Sequence, residues 1–119
     1  LPCATAAELR ALIAAHRARW RDDGAARITL VSDRMGTGTN CLLSTPPGAV
    51  AYRFGVDSRQ QHRAAATTAG AAFAEFDADG LRCDIDQPAE LAALVERSQS
   101  PQNGCGEHTT RLLLRLHPA

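Results

Sequence analysis

Asp33-Arg34-Met35-Gly36-Thr37-Gly38-Thr39-Asn40 follows directly on Arg27-Ile28-Thr29-Leu30-Val31-Ser32. The earlier run is short, apolar and rich in β-branched residues, which predicts a buried strand. A strand that ends in two glycines set among hydroxyl residues turns where backbone can come close to a ligand. Backbone N–H groups and threonine hydroxyls there are natural donors to an anion. The same stretch also reads as a Gly/Thr hairpin without a ligand, and a short Gly-rich motif does not by itself separate the two.

Working outward towards the N-terminus, Thr5-Ala6-Ala7-Glu8 has the capping-box form and predicts a helix start. Leu9, Leu12, Ile13 and His16 recur at helical spacing, and Arg10, Arg17, Arg19 and Arg21 spread around a solvated side. The helix is expected to end near Arg21, before Asp22-Asp23-Gly24.

Beyond the Gly/Thr turn, Asn40 to Thr45 reads as a second strand, broken by Pro46-Pro47-Gly48. Ala49 to Phe54 is another short apolar stretch. It leads through Gly55-Val56-Asp57-Ser58 into a polar helix from Arg59 to about Ala69, with Ser58 and Gln61 at capping-box spacing. Ala71 to Phe76 predicts a strand, and Asp77-Ala78-Asp79-Gly80 a turn. Pro88 suits the first position of a helix capped by Gln87, with Leu91, Leu94 and Val95 as its apolar stripe to about Arg97. Ser98 to Gly104 reads as a linker, and Leu112 to Leu116 as either a short strand or a helical turn. Alternating helices and strands point to an α/β domain with a mixed sheet.

With 119 residues there is room for one domain. Thirteen basic and thirteen acidic residues cancel, which gives no global pull towards nucleic acid or an anionic membrane. No apolar run approaches the roughly 20 residues that span a bilayer, and no signal peptide opens the sequence, so the cytoplasm is the expected location. Cys3, Cys41, Cys83 and Cys105 lack metal-ligand spacing and read as small buried hydrophobes.

Asp84-Ile85-Asp86 is the sharpest chemical feature. On a strand, residues i and i+2 face the same way, so the two carboxylates can converge on one divalent cation, with magnesium the natural choice. The other reading makes one aspartate the cap of the following helix and the other a solvated charge. Ser58, entering a helix, marks either an anion site or a plain N-cap. His62 lies four residues on, along the same helix face. It either reaches the same anion or is structural. Two anion cradles with a carboxylate pair suit phosphoryl or nucleotidyl chemistry.

Three segments, Ser32 to Asn40, Arg53 to Ser58 with His62, and Gly80 to Leu91, resemble in order and wording the C-terminal half of one family. These are the 2-phospho-L-lactate or phosphoenolpyruvate guanylyltransferases of deazaflavin coenzyme F-420 biosynthesis. The resemblance covers about residues 1–97, which it marks as a C-terminal half of a nucleotidyltransferase-like domain; 98–119 form a linker and extension without a family counterpart. It implies a Rossmann-like, three-layer architecture, present here as an incomplete portion. It implies that GTP is joined to phosphoenolpyruvate or 2-phospho-L-lactate with release of pyrophosphate. By motif, Thr39, Gly55 and Ser58 would hold the phospho-acid, and Asp84 and Asp86 would bind catalytic magnesium. The family's basic, Ala-rich nucleotide segment and an aspartate preceding Leu-Pro have no counterpart here. A separate N-terminal half or self-association is therefore expected to complete the site; a non-catalytic ligand-binding or interaction module is the alternative.

Overall fold

Strand β1, Arg27–Ser32, is the spine of the molecule, and its first five residues are all buried. The computed structural model describes residues 1–19, 23–100, 102 and 104–116. Strand β2, Thr39–Thr45, runs antiparallel to β1 on one side. Strand β3, Ala72–Glu75, lies parallel to it on the other, giving a mixed three-stranded sheet of order β2-β1-β3. Both faces of β1 are buried, with Ile28, Leu30 and Val31 as its apolar core residues and Arg27 and Thr29 buried among them.

Two helices cover the two faces. Helix α1, Ala6–Ala18, packs its Leu12 with Val31 and Leu81. Helix α2, Ser58–Thr68, packs its Ala66 with Ile28 and Val50 on the opposite face. The expected capping box opens α1: Thr5 Oγ1 accepts from the Glu8 amide at 3.1 Å, and Glu8 Oε2 accepts from the Thr5 amide at 3.0 Å. Glu8 Oε1 also accepts from the Gly80 amide, and a Cβ at Gly80 would sit 2.1 Å from the Cys3 carbonyl, so only glycine fits. Of the expected apolar stripe, Leu12 and His16 are buried, whereas Leu9 and Ile13 are more than 40% exposed. The helix thus meets the sheet along one i, i+4 line. Its expected end at Arg21 lies outside the described residues.

A 3-10 turn at Asp79–Arg82 leads to an extended segment and then to helix α3, Pro88–Ser98, with Pro88 in the first turn as expected. The ambiguous Leu112–Leu116 stretch is helical, as part of α4, Glu107–Leu116. Leu113 of α4 joins Cys3, Cys83 and Leu94 in a buried cluster, so the cysteines there do act as core residues. Of the expected linker, Pro101 and Asn103 lie outside the described residues. None of the helices among the described residues is long and apolar enough to cross a membrane.

Candidate phospho-ligand and metal site

The Gly/Thr turn after β1 is held open by its own backbone and by two arginines. Asp33 Oδ1 accepts from the Thr37 amide at 2.9 Å, and the Asp33 carbonyl from the Gly36 amide at 3.2 Å. Gly36 sits at φ 77°, a conformation that favours glycine. Arg82 donates to the Asp33 and Arg34 carbonyls, and Arg59 Nη1 to the Gly36 carbonyl. The β1–β2 register shifts between Val31 and Ser32, so that Ser32 pairs with Thr39. Asn40 then donates to the Leu81 carbonyl, tying β2 to the 3-10 turn.

Thr39, at the start of β2, meets the N-terminus of α2. Ser58 Oγ donates to Thr39 Oγ1 at 3.1 Å, and His62 Nδ1 lies 3.0 Å from the same oxygen. His62 Nε2 accepts from the Arg53 amide at 2.9 Å, while the Phe54 ring packs edge-on at 5.0 Å. His62 is fully buried, and that burial pushes its pKa below the ordinary value, with a hydrogen bond to the Ser58 backbone as the smaller opposing influence.

The structure alters the expected role of Ser58. Asp57, in the left-handed region at φ 55°, is the N-cap of α2 and makes no side-chain capping bond; Ser58 is the first helical residue. Gln61 does not close a capping box but donates to the Val56 carbonyl. The Ser58 and Arg59 amides already donate to the Gly55 and Thr37 carbonyls. The donors that this helix start offers are therefore hydroxyls more than amides.

Asp84 and Asp86 are not on a strand. They follow the 3-10 turn in a segment that belongs to no strand or helix, between Cys83 and the Gln87 cap of α3. Asp84 Oδ1 accepts from the Ile85 amide, and Glu90 Oε2 accepts from both the Asp86 and Gln87 amides at 2.6 and 2.8 Å. Gln87 is the N-cap of α3, so neither aspartate caps it. Among the described residues neither is in an ion pair.

All five sequence-predicted residues come together. Thr39, Gly55, Ser58, Asp84 and Asp86 line one open cavity of about 480 Å³. Gly55 enters through backbone alone, at φ 144°. Asp33, Asp57 and Glu90 add three more carboxylates to the wall, and among the described residues no lysine or arginine lines it. An anionic ligand would meet strong repulsion here unless a cation came with it. No three ligating side chains are grouped for a metal among the described residues.

Curated proteins resemble much of this sequence. The sequence is 38% identical over 89 residues to a phosphoenolpyruvate guanylyltransferase of Conexibacter woesei, 75% of this chain and 40% of that protein. It is 39% identical over 95 residues to the protein of that name from Sphaerobacter thermophilus, 80% of this chain and 42% of that one. With the Mycobacterium leprae protein of the same name it shares 38% over 116 residues, 98% of this chain and 45% of that one. The chain is a homologue of part of the phosphoenolpyruvate guanylyltransferases. It spans less than half the length of these relatives. No protein-family model matches it. The family resemblance read from the three motifs is thus borne out. The long match to the mycobacterial guanylyltransferase also reaches beyond Arg97, since 116 matched positions exceed the 97 residues before the linker.

Motif reading missed Glu90 and the two arginines that brace the turn. For Glu90 a signal existed, its capping spacing from Gln87. Arg59 and Arg82 contact backbone 23 and 49 residues away, for which local sequence carries no signal.

Proposed function

We propose that this chain supplies the phospho-acid- and magnesium-binding part of a guanylyltransferase that joins GTP to phosphoenolpyruvate or 2-phospho-L-lactate, in deazaflavin coenzyme F-420 biosynthesis in the cytoplasm. The observation that carries the reading is the shared cavity: hydroxyl donors on one wall and an unpaired carboxylate pair on the other. In the reaction a phosphate oxygen of the acid forms a bond to the α-phosphorus of GTP, and the bond to the β-phosphate oxygen breaks, releasing pyrophosphate. Thr39 and Ser58 donate to the ligand's oxygens, and Gly55 lets backbone approach where a side chain would stand. Asp84 and Asp86 would hold magnesium, which when bound neutralises the phosphate charge against the acidic wall. Glu90 fixes the backbone that presents them. The layered sheet with helices on both faces suits a Rossmann-like, three-layer nucleotidyltransferase portion, and the guanine nucleotide site falls to the part of the relatives outside this match.

The test is pyrophosphate release from GTP, magnesium and either phospho-acid, using this chain alone and then with the N-terminal part of a relative added. Release in either mixture that disappears with Asp84→Asn supports the reading. If phosphoenolpyruvate binds but no mixture releases pyrophosphate, the chain is a ligand-binding module without transfer activity. Absence of magnesium-dependent binding would sink both.

A further inference from the structure

We propose that His62 is a positioning residue, which turns the Thr39 hydroxyl proton towards the cavity and so makes this wall a donor to an oxyanion. The inference deepens the proposed function and rests on it. A backbone amide can only donate, so the Arg53 N–H at 2.9 Å requires the unprotonated lone pair of His62 Nε2. In the neutral ring the proton is then on Nδ1, the atom 3.0 Å from Thr39 Oγ1. A protonated Nδ1 cannot accept, and Thr39 therefore has no use for its own proton on that side. Ser58 Oγ donates to the same oxygen, and the Nδ1 proton is shared between Thr39 Oγ1 and the Ser58 backbone. Were the Thr39–Ser58 pair reversed, the free proton would be that of Ser58. Either way the trio makes one internal hydroxyl bond from two hydroxyls and leaves one proton for a ligand. Among the described residues no acceptor takes it, and both side chains border the cavity. Complete burial favours the neutral ring that this arrangement requires. In the opposite tautomer, Nδ1 would accept the Thr39 proton, and the Arg53 amide would face an N–H.

The test is a double-mutant cycle on phosphoenolpyruvate binding to this chain with magnesium, read by titration calorimetry, together with the ¹⁵N signals of the His62 ring. Thr39→Val and His62→Gln should each weaken binding about tenfold, and the double variant should lose about tenfold, not about a hundredfold. The ring should show a protonated Nδ1 and an unprotonated Nε2 at neutral pH, a readout that needs no variant to fold. A multiplicative loss, an unaffected His62→Gln, or an Nε2-protonated ring overturns this proposal while leaving the proposed function standing. Absence of binding to the unmodified chain overturns both.

Discussion

The two walls of the cavity are built in opposite ways. The hydroxyl wall is a side-chain network in which Ser58, His62 and Thr39 bond one another and the Arg53 amide, with one hydroxyl proton left over. The acidic wall has its backbone pinned by Glu90, but its two carboxylates face a cavity lined by further acids. Ser58 and His62 are buried, whereas Asp86 is exposed. One wall is ready in the free protein; the other is complete only with a cation. The contrast teaches where each kind of perturbation should act: charge changes on the acidic side should alter binding with little effect on stability, and changes on the hydroxyl side should alter both.

The largest effect is expected at the carboxylates. Asp84→Asn or Asp86→Asn should remove the magnesium dependence of phosphoenolpyruvate binding and weaken it by at least about tenfold, or about 1.4 kcal/mol. Unfolding free energy should stay within about 0.5 kcal/mol, since neither side chain is ion-paired. Calorimetry with and without magnesium, beside urea unfolding, separates the two quantities. Unchanged magnesium dependence in both variants would break the comparison.

Next comes pH, which should act through two buried histidines, His62 in the hydroxyl wall and His16 on α1. His62 is held below its ordinary pKa by burial, and His16 by burial and then by Arg19 and Arg27. With the folded value depressed, the stabilising contribution is whole above about 6.5, the unfolded value. It falls as pH drops from there through the folded value, because the unfolded chain then binds protons that the folded chain refuses. Stability should therefore decline between pH 7 and 5, by up to about 1.4 kcal/mol per pH unit for each histidine. Glu75 and Asp79, lowered by Arg59 and Arg97, act in the same direction only below about 4.5 and 3.8. Urea midpoints of His62→Gln across pH 7 to 5 should show a shallower decline than the unmodified chain; an identical decline would assign the effect elsewhere.

A smaller change sharpens how the acidic wall is held. Glu90→Ala removes the acceptor for the Asp86 and Gln87 amides and should cost about 1 kcal/mol of stability, while Glu90→Gln keeps an acceptor and should cost less. Magnesium affinity should follow the same order. An equal loss in both variants would mean that the Glu90 charge, not its capping bonds, is what the wall uses.

These differences also explain what was legible in the sequence. β1, the turn after it and the cap of α1 are local patterns, and they appear where Ile28 to Val31, the Gly36 turn and Thr5 with Glu8 indicate. Asp84 and Asp86 were legible as a pair facing one cavity, but strand alternation was the wrong reason: a 3-10 turn and a Glu90 clasp put them there. Ser58 was legible as a polar group at a helix start, but its partner, Thr39, lies 19 residues earlier. Helical spacing placed His62 beside Ser58, yet its bond to the Arg53 amide depends on how the loop folds back. The path of a loop across a sheet edge is set by tertiary packing, which no short window encodes.

The smallest effect should come from Arg59, outside both walls. Its guanidinium reaches Glu75 through Nε and Nη2, at 2.9 and 2.8 Å, and the Gly36 carbonyl through Nη1. Arg59→Lys keeps the charge but not the fork that serves three acceptors at once. The pair with Glu75 is about one-third exposed on each side, so water screens it and the loss should stay below about 1 kcal/mol. Phosphoenolpyruvate affinity should change less than twofold, since Arg59 does not line the cavity shared by Thr39 and Asp84. A loss of affinity comparable to that of Asp84→Asn would mean that the turn's backbone, held by Arg59, is itself part of the ligand's cradle. The hydroxyl wall would then extend from Thr39 back to Gly36.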